Sequence, residues 1–195
     1  MTNSSDLHLH PVEKAGMLES RLRRLLQNPE QILKKYIKPG MKVLDLGCGT
    51  GYFTLEIARR VGAAGSVVAA DVQARMLEIL RQKIKGNPVS QNIRIHHSKE
   101  SSLGITEKFD FILAFYAFHE MRFIDDMIHE LKSNCYDQTR ILIAEQKIHV
   151  PKAAFKEIIS KMEDNGFVAC ERPNIFLSRA VVMRKEGRSA VSGSL

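Results

Sequence analysis

The sequence has few cysteines and no long apolar run, and both absences narrow what the protein can be. Its three cysteines, Cys48, Cys135 and Cys170, are widely separated and odd in number, which fits neither a disulfide framework nor a zinc site. No apolar run approaches the roughly 20 residues that a membrane span needs. The start, MTNSSDLHLHPVEK, lacks the charged-then-apolar pattern of a signal peptide. We therefore expect a cytoplasmic protein with reduced thiols and no bound metal.

The length and composition predict one globular domain. The chain has 195 residues, of which 44% are hydrophobic and 26% charged, as is ordinary for a folded domain. The net charge of +7 allows an RNA partner or an anionic substrate, although a merely soluble surface explains such an excess as well. We predict a flexible segment over 1–16, a domain over 17–184 whose first part (17–38) is helical, and a disordered tail over 185–195.

Apolar periodicity alternates between strands and helices along the domain. Short apolar runs predict strands, which are Lys42–Leu46, Ser66–Ala70, Ile93–His96, Phe109–Phe115 and Arg140–Ala144. Helical spacing separates them, over Phe53–Val61, Gln73–Lys85, Asp125–Ser133 and Lys152–Asn165. A final hairpin is predicted over Phe167–Glu171 and Asn174–Met183. The alternation predicts an α/β fold, a mainly parallel sheet with helices on both faces and an antiparallel edge.

A glycine-rich loop follows the first predicted strand, in the stretch VLDLGCGTGYF (Val43–Phe53). A dinucleotide-binding loop has the pattern G-x-G-x-x-G, whereas Tyr52 occupies the sixth position here. A phosphate-binding P-loop needs Lys followed by Ser or Thr after its last glycine, and neither is present. Asp45 would also repel a phosphate. The loop therefore predicts a ligand other than a pyrophosphate.

The stretch resembles motif I of the class I S-adenosylmethionine-dependent methyltransferases, an apolar strand followed by D-x-G-x-G-x-G. The resemblance covers roughly Leu33–Met183 and is nearest the small-molecule branch that includes ubiquinone/menaquinone-biosynthesis methyltransferases. It implies a three-layer Rossmann-like fold with a seven-stranded sheet, S-adenosylmethionine as cofactor, and methyl transfer by in-line displacement. In the family, an N-terminal helix often covers the cofactor, and we expect residues 17–38 to do so here.

The resemblance also implies a set of cofactor-binding residues. Asp45 would face the cationic end of the cofactor, Asp71 would accept hydrogen bonds from both ribose hydroxyls, and Phe115 would lie beneath the methionine portion. Asp71 could equally cap the following helix. Lys99 stands where the family reads the adenine amine, and because lysine cannot accept a hydrogen bond, Ser98, Glu100 or the backbone would take that role. The remaining members of the set are Gly47, Cys48, Gly49, Gly51, Val72 and Met76.

The segment after the fourth strand, FYAFHEM, supplies the expected acceptor side: Tyr116, His119 and Glu120. His119 is the histidine placed where a base could act near neutral pH, although a histidine bonded to nearby backbone explains its position equally well. An acceptor that is already a thiolate or an enolate would need no base at all, since positioning and exclusion of water would supply most of the rate.

Three function classes remain, and the first two differ in the acceptor of the methyl group. The first is a small molecule, which we favour. The second is RNA or protein, for which a basic run offers phosphate contacts, namely Arg21, Arg23, Arg24, Lys34, Lys35 and Lys38. Against base methylation, the fourth strand is followed by no Asn-Pro-Pro-Tyr-like sequence and no cysteine nucleophile. The third is a cofactor-binding protein without transfer activity. The sequence leaves the acceptor atom and the oligomeric state open.

Overall fold

The computed structural model describes residues 27–186, which form seven strands and five α-helices. The helices are α1 (Pro29–Leu33), α2 (Thr54–Val61), α3 (Ala74–Ile84), α4 (Ile124–Ser133) and α5 (Lys152–Asp164). The strands are β1 (Lys42–Leu46), β2 (Ser66–Asp71), β3 (Ile93–His97), β4 (Phe109–Phe115), β5 (Cys135–Gln146), β6 (Phe167–Glu171) and β7 (Ser178–Lys185). Short 3₁₀ turns lie at Pro88–Asn92 and Phe118–Glu120.

The strands form one sheet in the order β3-β2-β1-β4-β5-β7-β6. The first five strands are parallel, and β7 pairs antiparallel with both β5 and β6. The predicted parallel sheet with an antiparallel C-terminal hairpin is thereby confirmed. The strand order reverses between β1 and β4, which is the point at which open parallel sheets bind their ligands.

Alternate residues of the central strands face opposite helical layers. Leu44 of β1 belongs to a core cluster that includes α4 and α5, whereas Val43 packs with α1 and α2. Helix α3 completes the second layer through Leu77 and Leu80, which pack beside Ala69 of β2. The sheet is therefore buried on both faces, in the expected three layers.

The predicted starts of two strands are wrong. Strand β5 begins at Cys135 instead of Arg140, because its first residues pair with β4 across a register shift between Phe109 and Phe111. Strand β7 begins at Ser178 instead of Asn174, because the preceding residues form a turn in which Leu177 has a φ of +53°.

The ends of the chain bear on two further predictions. Asn28 caps α1 by accepting from Glu30 N at 2.9 Å, and Pro29 stands in its first turn. The prediction of a helix through residue 38 is wrong, because α1 ends at Leu33 and the chain turns over 34–36 before Pro39. Residues 17–26 of the expected helix, the segment 1–16 and the tail from 187 lie outside the described residues. Lys185, the first residue of the predicted tail, is still in β7. Within residues 27–186, no helix is long and apolar enough to cross a membrane.

Candidate cofactor and acceptor site

The glycine loop connects β1 to α2 at the carboxyl edge of the sheet. Gly47 N and Cys48 N both donate to Ala70 O, at 2.8 and 3.0 Å, so the loop is tied to the end of β2. Gly47, Gly49 and Gly51 all have positive φ, at +70°, +53° and +80°. Residues that have a Cβ rarely adopt this backbone conformation.

The three glycines serve different purposes. A Cβ at Gly47 would come within 2.6 Å of Ala117 Cβ, and one at Gly51 within 2.3 Å of Leu80 Cδ1. A Cβ at Gly49 would meet nothing within 4 Å. Packing therefore requires Gly47 beside Ala117, which precedes the 3₁₀ turn at Phe118–Glu120, and Gly51 beside α3, whereas the outer side of Gly49 is left open to a ligand.

Cys48 was expected among the cofactor-binding residues, and its side chain lies in the core. It packs with Leu77 and Leu80 of α3, and its Sγ approaches Gly49 O at 3.6 Å. Burial raises the pKa of the thiol well above its ordinary value. Any contact of Cys48 with a cofactor is thus left to its backbone.

Asp71 is held rigidly at the end of β2. Its Oδ2 accepts from Gly49 N and its Oδ1 from Gln73 N, each at 2.8 Å. Gln73, not Asp71, is the N-cap residue of α3. Burial raises the pKa of Asp71, while these backbone bonds act to lower it. Each carboxylate oxygen keeps a further acceptor site, which fits a bidentate contact with two hydroxyls.

Asp45 is a second buried acid on the same side of the sheet. It is 2% exposed, and its Oδ2 accepts from Thr54 Oγ1 at 2.6 Å. Burial raises the pKa of Asp45 to about 7, the Thr54 hydrogen bond acts against this, and the charge of Asp71 adds to it. Residues 27–186 supply no cation to Asp45. A ligand with a positive end fits such a site because it would supply the missing countercharge.

The expected adenine-side residues divide into buried and exposed ones. Met76 is buried on α3, and Ser98 is buried beside β2, where its N donates to Asp71 O at 3.1 Å. Lys99 and Glu100 are exposed on a tight turn in which Lys99 N donates to Ser102 O at 2.9 Å. Val72 is half-buried, and its carbonyl is 3.0 Å from His97 Nε2. Ser98, Glu100 and the backbone were the three groups expected to read the adenine amine in place of Lys99. Of these, Ser98 is the one that lies against the Asp71 backbone.

Phe115 is the last residue of β4, and Tyr116 follows it directly. Phe115 packs between Phe53 and Tyr116, with ring centroids 4.3 and 4.4 Å apart. Tyr116 has a φ of +64°, a strained conformation for a bulky residue. Its hydroxyl receives a hydrogen bond from Gln27 Nε2 and lies 2.7 Å from Ser178 Oγ. The structure thus joins Tyr116 to the start of α1 and to β7, two partners that the sequence analysis missed.

His119 lies on the 3₁₀ turn that follows, and its main partner was also missed. Its Nδ1 is 2.6 Å from Oε2 of Glu145, a fully buried residue at the end of β5. Glu145 Oε1 accepts from Phe118 N at 2.9 Å and from His119 N at 3.3 Å. His119 Nε2 is 3.7 Å from Glu120 Oε1. Burial acts to lower the pKa of His119, but the hydrogen bond and charge of Glu145, with the charge of Glu120, outweigh it and raise the pKa.

The site residues therefore form two groups along one edge of the sheet. The first, around Asp45, Gly49 and Asp71, has two anionic side chains and an open glycine and fits S-adenosylmethionine, which carries ribose hydroxyls and a sulfonium. The second is a group of three ionisable side chains in contact, His119, Glu120 and Glu145. The described residues contain no cluster of His, Cys, Asp and Glu suited to a metal ion.

Comparisons with known proteins agree with this geometry. Residues 37–187 match the family model described as "Methyltransferase domain". The chain is 32% identical over 110 residues to the ubiquinone/menaquinone biosynthesis C-methyltransferase of Idiomarina loihiensis, covering 56% of this chain and 44% of that protein. It is 29% identical over 99 residues to the demethylmenaquinone methyltransferase of Lactobacillus johnsonii, covering 50% of this chain and 41% of that protein. The chain thus spans less than half the length of these two relatives.

A solved structure matches over nearly the whole chain. It is the crystal structure of a S-adenosylmethionine-dependent methyltransferase from Aquifex aeolicus, with a TM-score of 0.80 and 25% sequence identity. The match covers 90% of this chain and 98% of that one. The resemblance inferred from the glycine loop is confirmed: the chain belongs to the methyltransferase-domain family, the class I S-adenosylmethionine-dependent methyltransferases, whose cofactor is S-adenosylmethionine.

Proposed function

We propose that the protein transfers the methyl group of S-adenosylmethionine to a small-molecule acceptor by in-line displacement. The observation that carries the proposal is the pair of buried and mutually interacting carboxyl groups, Asp45 of β1 and Asp71 of β2, the second of which accepts from Gly49 N. When bound, the cofactor supplies an electrophilic methyl carbon on a positively charged sulfur. Asp71 accepts hydrogen bonds from the ribose, and Asp45 acts as counterion to the cationic end, directly or through water.

The acceptor side supports a small molecule better than a polymer. The side chains of His119 and Glu120 are only 20% and 15% exposed, and Glu145 is fully buried. A compact acceptor can reach such largely buried groups, whereas a folded RNA or protein would first have to extrude a single group toward them. The two relatives described above are, by name, methyltransferases of quinone biosynthesis, and this also favours a small acceptor.

The test uses the intact protein and S-adenosylmethionine labelled in its methyl group. Three separate incubations contain a metabolite extract freed of macromolecules, total RNA, and total protein. We expect label in the metabolite incubation and identify the labelled compound by mass spectrometry. Asp71→Ala serves as the loss-of-binding variant, and Asp126→Asn, which removes an exposed carboxylate on α4, as its control.

The outcomes separate the three function classes. Label in RNA or protein, but not in any metabolite, would replace the small-molecule proposal with the macromolecular one. Binding of S-adenosylmethionine without label in any incubation would indicate a cofactor-binding protein that does not transfer the methyl group.

A further inference from the structure

Two loops at the carboxyl edge of the sheet carry most of the large apolar side chains that residues 27–186 expose. The first loop (147–151) joins β5 to α5, and the second (172–177) joins β6 to β7. Three of the five exposed side chains stand on them: Ile148 at 79%, Phe176 at 49% and Leu177 at 46%. Lys147 N donates to Leu177 O at 2.9 Å, so the two loops adjoin. We call these three side chains the apolar tip.

The backbone of Leu177 is strained in a way that its packing does not explain. Its φ is +53°, which is unfavourable for a residue with a bulky side chain. The strain brings little burial, because almost half of the side chain is exposed. Strained residues concentrate at ligand clamps and other functional contacts. The apolar tip is therefore a candidate for such a contact.

The charged side chains beside the apolar tip are all basic. Residues 146–152 and 172–179 contain Lys147, Lys152, Arg172 and Arg179 and no acid, and we call these four the basic rim. Three of them are exposed, whereas Arg179 is half-buried and its Nη1 donates to Lys147 O at 3.3 Å. Within residues 27–186, none of the four forms an ion pair with a carboxylate.

The nearest acidic residues along the chain do not neutralise the basic rim. Glu145 is fully buried and contacts His119. Glu171 is paired with Lys35 at 2.6 Å. The surface around the apolar tip is therefore positively charged, and a partner that complements it carries negative charge around an apolar interior.

We propose that the apolar tip and the basic rim dock on the surface of an anionic lipid bilayer. Short apolar side chains on loops suit the boundary between headgroups and acyl chains, and lysine and arginine suit the anionic headgroups above it. Ser178, which directly follows the tip, lies 2.7 Å from the Tyr116 hydroxyl. Docking there turns the acceptor side of the site toward the bilayer. The inference does not rest on the proposed function, because the contact is independent of the compound methylated.

Two other occupants fit this surface less well. Two copies of the chain that met here would bring like charges together, which disfavours association, and three apolar side chains fall well short of the roughly 20–30 residues a side of a stable interface. The chain before Gln27 is the other alternative, because Gln27 Nε2 donates to Phe176 O at 3.1 Å. That stretch contains Arg21, Arg23 and Arg24, which have the same sign of charge as the rim.

The first test is co-sedimentation of the full chain with lipid vesicles. We expect binding to phosphatidylcholine that contains about one-third phosphatidylglycerol, little binding to phosphatidylcholine alone, and weaker binding as salt is added. Lys147→Gln with Arg172→Gln should lower the partition coefficient about fivefold for each charge removed. Lys38→Gln with Lys108→Gln is the matched control, because these exposed cations precede β1 and β4 at the opposite edge of the sheet; it should change binding far less.

A second variant, Leu177→Gly, separates a docking role from a packing role. Glycine adopts a positive φ without strain, and this relief offsets the greater freedom of the unfolded chain. The variant should therefore unfold at about the wild-type temperature, while its binding to anionic vesicles falls about fivefold, as burial of half a leucine side chain implies. A lower unfolding temperature with unchanged vesicle binding would assign Leu177 to packing and overturn its role in docking.

The third test reports which surface faces the lipid. The chain contains no tryptophan, so Phe176→Trp places a single fluorescent reporter in the apolar tip. Tyr136→Trp is the control, at an exposed position near the start of β5, on the opposite edge. With anionic vesicles that contain brominated acyl chains, we expect the emission of Phe176→Trp to shift to the blue and to be quenched, and that of Tyr136→Trp to be unchanged.

Three outcomes would overturn the proposal. The first is the absence of binding to anionic vesicles, and the second is quenching in Tyr136→Trp but not in Phe176→Trp. The third is blue emission from Phe176→Trp without vesicles and no quenching with them. Such emission would assign the surface to a second copy if it depended on protein concentration, and to the chain before Gln27 if it did not. None of these measurements requires methyl transfer, so failure here is distinct from failure of the proposed function.

Discussion

Replacing Asp45 with Asn should make the cofactor-free protein more stable near pH 8 and less stable in mild acid. Burial raises the pKa of Asp45 from its ordinary 3.8 to about 7. Between those values the folded protein keeps a proton that the unfolded chain has lost, so stability decreases as pH rises through this window. A difference of about 3 pH units corresponds to about 4 kcal/mol, lost in full above pH 7.

The substituted side chain avoids this loss because an amide does not ionise. Its oxygen can still accept from Thr54 Oγ1, the bond that Asp45 makes at 2.6 Å, but its buried N–H groups lack a partner, at a cost of about 1–3 kcal/mol. Near pH 8 the free energy of unfolding of Asp45→Asn should therefore exceed that of the wild type by about 1–3 kcal/mol. In mild acid only the cost of the unpaired amide remains, so the variant should be the less stable protein.

The assay is urea unfolding, followed by circular dichroism, of both proteins at about pH 5, pH 6 and pH 8. Carboxyl groups remote from Asp45 cancel in the difference between the two proteins, whereas Asp71, whose charge acts on Asp45, contributes to that difference. Asp126→Asn is the control, because it removes the same charge from an exposed site on α4. A stability difference between wild type and Asp45→Asn that does not change with pH would refute the reasoning.

Three further predictions concern the cofactor site, each checked by calorimetric titration with S-adenosylmethionine and by thermal unfolding. Asp71→Ala should weaken cofactor binding by roughly 1–3 kcal/mol through loss of a charged hydrogen-bond partner, and unchanged affinity would refute the ribose contact. Gly49→Ala should cost about 1–2 kcal/mol of stability, from backbone strain at positive φ, and weaken binding strongly, because its Cβ would enter the open side of the loop. Gly51→Ala should lower the melting temperature more than Gly49→Ala, because its Cβ would lie 2.3 Å from Leu80; the reverse order would contradict the separate roles of the glycines.

Most of the fold could be predicted from local sequence patterns. The apolar runs of β1, β2 and β4 are continuous because these strands are buried on both faces, and their helices have clear periodicity. The beginning of β5 could not be predicted. Tyr136, Asp137 and Gln138 are exposed there, so the pairing of this stretch with β4 leaves no apolar pattern in the sequence.

The two groups of site residues likewise differed in how well the sequence predicted them. Asp45, Gly49 and Asp71 lie at the ends of consecutive strands, and the glycine spacing marks them within a short stretch of chain. Glu145 is separated from His119 by 26 residues, and their contact depends on the register in which Phe115 pairs with Ala144. Register between parallel strands is set by packing across the whole sheet, and no local signal specifies it. The one signal for this contact in the sequence was a single acidic residue, Glu145, directly after the apolar run of β5.

The pleat of the sheet also explains why the two halves are chemically distinct. Asp45 follows Leu44, which faces α4 and α5, so its side chain lies on the opposite face with α1, α2 and α3. Glu145 follows Ala144, which packs on the face of α1 and α2, so its side chain lies toward α4 and α5. The side chains of Asp45 and Glu145 thus project from opposite faces of the sheet near one edge, and the glycine loop meets the turn after β4 where Ala117 packs on Gly47. Because the first set depends on local sequence and the second on the register of β4 and β5, substitutions in the glycine loop should act mainly on cofactor affinity. Those at Glu145 should act mainly on the turn that carries His119, which Glu145 holds through three hydrogen bonds.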